Sequence, residues 1–125
     1  MSTKPRPKHL DLTKIRLPLP GFISILHRIS GFGMFLMIGV MLGVFALSLE
    51  SPQGYERAAA ILTSWLGKLV MLGLIWAFFH HFIAGIRFLL LDLHVGAELA
   101  AARKSSALVL ILSISLTAVM GAFLW

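Results

Sequence analysis

Long uncharged blocks alternate with short polar segments along this chain, and their lengths predict its elements. Residues 31–49 are nineteen consecutive positions without a charged side chain, and a helix of that length is about 28 Å long, which matches the hydrocarbon core of a bilayer. A second block, 69–86, is interrupted only by two histidines, and a third, 105–125, has twenty-one uncharged residues. Apolar residues fill these blocks instead of recurring once per turn, as they do in helices of soluble proteins. The pattern therefore predicts an all-α membrane protein with three transmembrane helices.

Prolines and turn residues set the ends of the predicted helices. Pro18 and Pro20 fit the start of a helix and not its interior, so the first helix is expected to begin near Gly21. The segment Ser-Pro-Gln-Gly at 51–54 is typical of a turn, and a short interfacial helix or helix entry is expected over 55–64. The predicted organisation is a basic amino-terminal segment, 1–20, followed by a three-helix domain, 21–125, with spans at about 21–49, 65–90 and 104–125.

The composition agrees with a lipid environment and excludes several kinds of site. Hydrophobic residues make up 58% of the chain and charged residues only 13%, which leaves too little polar surface for a soluble domain. The chain contains no cysteine, so disulfides, iron–sulfur clusters and c-type haem attachment are excluded within it. Any metal that this chain binds must therefore have histidine or oxygen ligands.

The net charge of +6 is concentrated beside the first span. Five cationic residues precede that span, two lie in the first connection and three lie at or beyond the end of the second span: Lys4, Arg6, Lys8, Lys14 and Arg16; Arg57 and Lys68; and Arg87, Arg103 and Lys104. Because lysine and arginine are enriched on the cytoplasmic side, this distribution indicates a topology signal and not a nucleic-acid surface. The amino terminus is expected on the cytoplasmic or matrix side of a bacterial or mitochondrial inner membrane.

The charge distribution predicts a topology that reporter fusions can test. A reporter fused after Trp125 is expected to behave as periplasmic or intermembrane, and one inserted near Ala100 as cytoplasmic or matrix, because one span separates the two positions. Alkaline phosphatase and green fluorescent protein respond oppositely to the two sides of the membrane, so their signals are the measurement. Reversed signals would contradict the predicted orientation.

Polar residues at the start of the first span and at the end of the second are expected to meet at one membrane face. The two spans are antiparallel, so these ends lie in the same leaflet. Ionisable groups within apolar spans are costly and are functional-site candidates by default. The candidates are Ser24, His27 and Arg28 on the first helix, spaced to share one side of it, and His80, His81 and Arg87 on the second.

His81 is the strongest single candidate. It lies six positions before Arg87, roughly 9 Å deeper along the helix, where a neutral imidazole can ligate haem iron. Gly85 follows four residues later on the same face and leaves space for a flat macrocycle. The alternative is a buried histidine that only forms hydrogen bonds between helices. His80 is about 100° round the helix from His81, so at most one of them can bind a single iron.

The start of the first helix offers hydrogen-bond donors near the membrane surface. Haem carries two propionates that need cationic partners, and Arg28 can bind one of them with two hydrogen bonds, with His27 beside it. The alternative for Arg28 is a side chain that extends toward headgroup phosphate. Ser24 is a candidate donor to a quinone carbonyl, and the alternative is a hydroxyl bonded to its own helix or to a neighbouring one.

Glycines in membrane helices commonly mark the positions where two helices approach closely. Five of them are predicted to be close-packing positions between helices: Gly31, Gly39, Gly43, Gly67 and Gly73. Gly39 and Gly43 have the four-residue spacing that is most familiar in such contacts.

Two stretches of the chain resemble the signatures of a known family. Residues 16–31, RLPLPGFISILHRISG, resemble the amino-terminal signature of the cytochrome b subunit of succinate dehydrogenase, respiratory complex II. Residues 81–87, HFIAGIR, together with Asp92, resemble its second signature. The three-span layout is similar too, so the resemblance covers nearly the whole chain. It departs at Phe88, where many members have a second histidine directly after the arginine.

The resemblance implies a role for each candidate residue. By this resemblance His81 is the axial haem ligand and therefore the metal ligand, Ser24 and Arg28 line the ubiquinone site, and His27 with Arg28 approaches the haem propionates. Electrons from succinate would pass through a flavoprotein subunit and an iron–sulfur subunit to ubiquinone. A second membrane-anchor subunit would complete the helical bundle and supply the other ligand of a shared haem b.

On this interpretation the chain is not a catalyst alone, since it has no cysteine for a cluster and no dinucleotide-binding glycine motif. The alternative function is a haem-free structural anchor or assembly subunit, whose histidines and arginines only bond neighbouring helices. A small transporter or proton channel is disfavoured, because the spans lack acidic residues.

Overall fold

The computed structural model describes residues 16–125, which form four helices. α1 is Leu19–Glu50, α2 is Pro52–Thr63, α3 is Trp65–Asp92 and α4 is Leu99–Leu124. With 32, 28 and 26 residues, α1, α3 and α4 are long and apolar enough to cross a membrane. The predicted all-α membrane fold with three spans is therefore confirmed. Most of the predicted basic amino-terminal segment, residues 1–15, lies outside the described part of the chain.

Single serines join the first three helices. Ser51 lies between α1 and α2 and caps α2, because its Oγ accepts the amide hydrogen of Gly54 at 3.0 Å. Ser64 acts in the same way between α2 and α3, accepting the amide hydrogen of Gly67 at 3.0 Å. A Cβ at Gly54 would collide with the main-chain carbonyl of Leu47, so the junction between α1 and α2 requires glycine at this position. The turn predicted at 51–54 is thus the capped first turn of α2.

The connection from α3 to α4 turns through two residues with positive φ. His94 has φ 61° and Gly96 has φ 73°, in the left-handed region that glycine adopts without strain. α4 then begins at Leu99, ahead of the predicted start at 104, because the Leu-Ala-Ala-Ala run at 99–102 has high helix propensity. Part of the segment between the predicted second and third spans, 91–103, is therefore helical.

α3 packs against α1 on one side and against α4 on another. The buried residues of α3 and α4 recur every three or four positions, and most of them are small: Ala77, His80, Ala84 and Arg87 on α3, and Ala102, Ser106, Val109 and Ser113 on α4. Small residues let two backbones approach closely, which is how helices associate in lipid. Ile23 of α1 meets Ala84 and Val109 in a small core that joins the three spans.

Gly39 and Gly43 do not lie at a helix contact within the described chain. A Cβ added at either position would meet nothing within 4 Å, and the same holds for Gly73. The prediction of close packing at these three positions is therefore wrong for the contacts among residues 16–125. At these positions the helices of the described chain leave open space instead of a backbone contact.

Arg87 links α3 to α4 through hydrogen bonds. Its Nε donates to Oγ of Ser105 at 3.0 Å and its Nη2 to the main-chain carbonyl of Ala102 at 3.4 Å. Its side chain is only 6% exposed, and its guanidinium lies 5.3 Å from the ring centroid of Phe88. The expectation that Arg87 joins the polar residues of α1 is therefore corrected, because its face of α3 packs on α4.

Replacing Ser105 with alanine is expected to destabilise the helix bundle. The guanidinium of Arg87 would stay buried but lose an acceptor, and a buried donor without a partner costs about 1–3 kcal/mol. Thermal unfolding of the purified protein in detergent, followed by circular dichroism, measures the change. Ser115→Ala is the matched control on the exposed side of α4 and should leave the transition unchanged. Equal stability of Ser105→Ala and the unmodified protein would contradict this role of Arg87.

Candidate functional site

The ring of His81 is held by the main chain of α1. Its Nδ1 lies 2.9 Å from the carbonyl oxygen of His27 and 3.3 Å from Oγ of Ser30. A carbonyl oxygen only accepts hydrogen bonds, so the short contact requires the proton of the neutral imidazole to be on Nδ1. The other ring nitrogen, Nε2, then keeps its lone pair. The contact thus selects the tautomer in which Nε2 is a potential metal ligand.

The rings of His27 and His81 are stacked. Their centroids are 4.0 Å apart and the two planes differ by 9°. Phe88 forms an edge contact with His27, and the centroids of these two rings are 5.1 Å apart. An apolar ring therefore supports His27 on this side.

Gly31 allows α1 and α3 to approach closely at His81. A Cβ at Gly31 would lie 2.6 Å from Cε1 and 3.1 Å from Nδ1 of His81, distances that a real side chain does not tolerate without a shift. On α3, a Cβ at Gly85 would lie 3.6 Å from Nε2 of His27, which is an ordinary contact. The close packing predicted for Gly31 is therefore present, and its partner is the candidate ligand itself.

His80 lies in a different environment from its neighbour. It is 0% exposed, and its ring stacks on Trp76 with centroids 5.1 Å apart. Among residues 16–125, neither of its ring nitrogens has a hydrogen-bond partner. His81, by contrast, is partly exposed at the surface of the chain. A group that binds from outside the chain can therefore reach His81 but not His80.

Ser24 lies about one turn nearer the start of α1 than His27, and Arg28 directly follows His27. The Arg28 side chain is exposed and Ser24 is half-buried. Arg28 is about 100° round the helix from His27, so it leaves the α1–α3 contact and extends outward. Of the six residues expected to converge, the structure brings His27 and His81 together and leaves Ser24 and Arg28 at the outer edge. His80 is enclosed in the interior of the bundle, and Arg87 is turned to α4.

Two parts of the site were missing from the sequence prediction. One is the main-chain carbonyl of His27, which no residue pattern reveals. The other is Ser30, which is 2% exposed and lies three residues after His27, on the same side of α1. That spacing was a usable signal, because a buried hydroxyl one turn from a candidate histidine has few other partners in lipid.

Comparison with known proteins identifies the family of the chain. The profile of the succinate dehydrogenase/fumarate reductase transmembrane subunit family matches residues 2–120. The chain belongs to this family. It is similar to the succinate dehydrogenase cytochrome b556 subunit of Paracoccus denitrificans, with 35% identity over 81% of this chain and 78% of the relative. The corresponding subunit of Coxiella burnetii is 32% identical over 96% of this chain and 97% of the relative.

A more distant relative extends the same picture. The succinate dehydrogenase cytochrome b556 subunit of Rickettsia felis is 26% identical over 91% of this chain and 87% of the relative. The second and third relatives therefore match over most of both chains. The resemblance read from residues 16–31 and 81–87 is confirmed at the level of the family.

Proposed function

We propose that this chain is the haem-binding membrane anchor of a succinate:quinone oxidoreductase, with His81 as one axial ligand through Nε2. The observation that carries the proposal is the 2.9 Å contact from Nδ1 of His81 to the carbonyl of His27, which leaves Nε2 unprotonated. The similar proteins are named cytochrome b556 subunits, which supports a b-type haem.

The residues present fit a haem better than a free metal ion. Among the described residues, no group of three or more His, Asp or Glu side chains could hold a metal by itself. One imidazole nitrogen is sufficient for haem, because the porphyrin brings four nitrogens of its own. Since His81 is partly exposed at the chain surface, a second anchor subunit can supply the opposite axial histidine. Bound there, haem b takes up and passes on single electrons.

The charged edge of the haem is assigned to α1. His27 lies against the ligand, with its Nε2 over the small residue Gly85, and Arg28 is on the next position of the helix with its side chain exposed. Propionates need cationic or hydrogen-bonding partners, and a guanidinium binds a carboxylate with two parallel hydrogen bonds. We therefore assign the propionates to His27 and Arg28.

The quinone site is assigned to Ser24 and Arg28. Both are on the first turns of α1, close to the end of the span, where an amphipathic ring can enter from the lipid. Reduction of a quinone takes up two electrons and two protons, and negative charge develops on its carbonyl oxygens before the protons arrive. Hydrogen-bond donors placed at those oxygens stabilise that charge. Arg28 contributes a full charge and Ser24 a neutral hydroxyl, so Arg28 should contribute more.

The remaining redox steps belong to partner subunits in this proposal. A flavoprotein oxidises succinate, an iron–sulfur subunit carries the electrons to the membrane surface, and this chain with a second anchor subunit holds haem and ubiquinone. The soluble subunits dock on the cytoplasmic or matrix side, where the charge distribution orients the start of α1.

Substitution of the two adjacent histidines tests the ligand. His81→Ala is expected to lower the haem content of the purified complex and to abolish the low-spin spectrum of a haem with two histidine ligands. His80→Ala should keep that spectrum, because His80 is fully buried on another face of α3. Optical and electron paramagnetic resonance spectra, normalised to protein, are the measurements.

Either of two results would remove the assignment. A normal bis-histidine spectrum in His81→Ala would exclude His81 as the ligand. If the unmodified complex had no Soret absorbance, the result would instead support the alternative function, a haem-free structural anchor.

Arg28→Leu and Ser24→Ala are expected to impair quinone reduction much more than succinate oxidation by a water-soluble artificial acceptor. Loss of one donor to a developing oxyanion costs about 3 kcal/mol of barrier, or roughly a hundredfold in rate. Arg28→Lys should rescue only in part, because an ammonium lacks the planar two-pronged geometry. Arg57→Leu, an exposed cation on α2, is the matched control. Normal quinone rates and apparent affinity in both variants would place the quinone elsewhere.

A further inference from the structure

The geometry points to Ser30 and Gly31 as positioning residues that hold His81 in one orientation and one tautomer, and thereby set the haem potential. The inference rests on the proposed role of His81 as a haem ligand and extends it to two residues with no assigned role. Ser30 supplies a second acceptor for the ring, and Gly31 supplies the space that the ring occupies.

The hydroxyl of Ser30 can only accept a hydrogen bond from His81. Its single proton is donated to the carbonyl of His27, with Oγ 2.9 Å from that oxygen. The lone pairs of Oγ are left to face Nδ1 of His81 at 3.3 Å. The carbonyl and the hydroxyl therefore impose the same requirement, a proton on Nδ1. Because Ser30 is 2% exposed, water does not compete for this arrangement.

Because Gly31 has no side chain, the ring of His81 has room to lie against those acceptors. A methyl group at this position would lie 2.6 Å from Cε1 of His81. The ring cannot turn away freely, because one of its faces is stacked on His27 at 4.0 Å. Any side chain at Gly31 must therefore displace His81 from the carbonyl or move α1 away from α3.

The chemical consequence is a more electron-rich ligand nitrogen. A hydrogen bond from Nδ1–H to an acceptor increases the basicity of Nε2, and a more basic axial ligand favours the oxidised iron. The hydrogen bonds that Nδ1 of His81 donates to Ser30 and to the carbonyl of His27 thus lower the haem midpoint potential. Removing one acceptor should raise the potential without removing the ligand.

The test compares Ser30→Ala, Gly31→Ala and a matched glycine control in the assembled complex. Ser30→Ala, which removes one oxygen atom, should keep full haem content but shift the midpoint potential to a more positive value. Gly31→Ala should lose haem or its low-spin spectrum. Gly33→Ala should leave both unchanged, because its Cβ would meet nothing within 4 Å. Haem content, spectra and redox titration are measured on the same preparations.

A second measurement does not depend on haem at all. The full chain, labelled with ¹⁵N-histidine and reconstituted without haem in a lipid bilayer, should give His81 nitrogen shifts of the Nδ1-protonated tautomer. The resonance is assigned by its loss in His81→Ala. In Ser30→Ala the Nδ1 shift should change, because the ring loses one of its two acceptors, while the carbonyl of His27 keeps the proton on Nδ1. An Nε2-protonated His81 in the unmodified chain would overturn the inference.

The haem assignment of His81 and the positioning role of Ser30 and Gly31 would be contradicted by different results. If His81→Ala loses the bis-histidine spectrum while Ser30→Ala and Gly31→Ala keep the normal potential and haem content, the haem site stands and the positioning role is wrong. If His81→Ala keeps its spectrum, the haem assignment is wrong, and the nitrogen shifts still decide whether Ser30 and the His27 carbonyl select the tautomer.

Discussion

The lipid around α3 offers no hydrogen-bond partners, so a polar side chain on this helix is satisfied only by another helix or by a bound group. His81 finds the carbonyl of His27 on α1, and Arg87 finds Ser105 and the carbonyl of Ala102 on α4. These contacts also position α3 between its two neighbours. The chemistry assigned to the chain therefore depends on the same hydrogen bonds that hold its three spans together.

Adjacent histidines on one helix are separated into an inner and an outer environment. His80 is enclosed with Trp76 in the interior of the chain, whereas His81 lies at its surface with Nδ1 against the carbonyl of His27. A shared cofactor between two subunits needs the outer position. Within residues 16–125 the ring nitrogens of His80 have no partner, and a buried polar group in that state costs stability. Replacing this ring by an apolar one is therefore not expected to harm the outer site.

The sequence predicted the number and the approximate bounds of the spans, because the length of an uncharged block directly reflects the thickness of the membrane. It also favoured His81 over its neighbour through the family signature. It could not predict which way each helix is rotated. α1, α3 and α4 are apolar on all sides, so no stripe indicates the buried face, and the partners of Arg87, Gly39 and Gly43 were for that reason misplaced or left open.

The hydrogen bonds from His81 to α1 and from Arg87 to α4 restrict the number of residues on α3 between these two positions. His81 and Arg87 are six residues apart, about 240° round the helix, and each points at a different neighbour. Inserting or deleting one residue between them would rotate one side chain by about 100° round the helix relative to the other. The hydrogen bonds to α1 and to α4 could then not form together. Lineages of this protein should therefore keep the number of residues between these two positions constant.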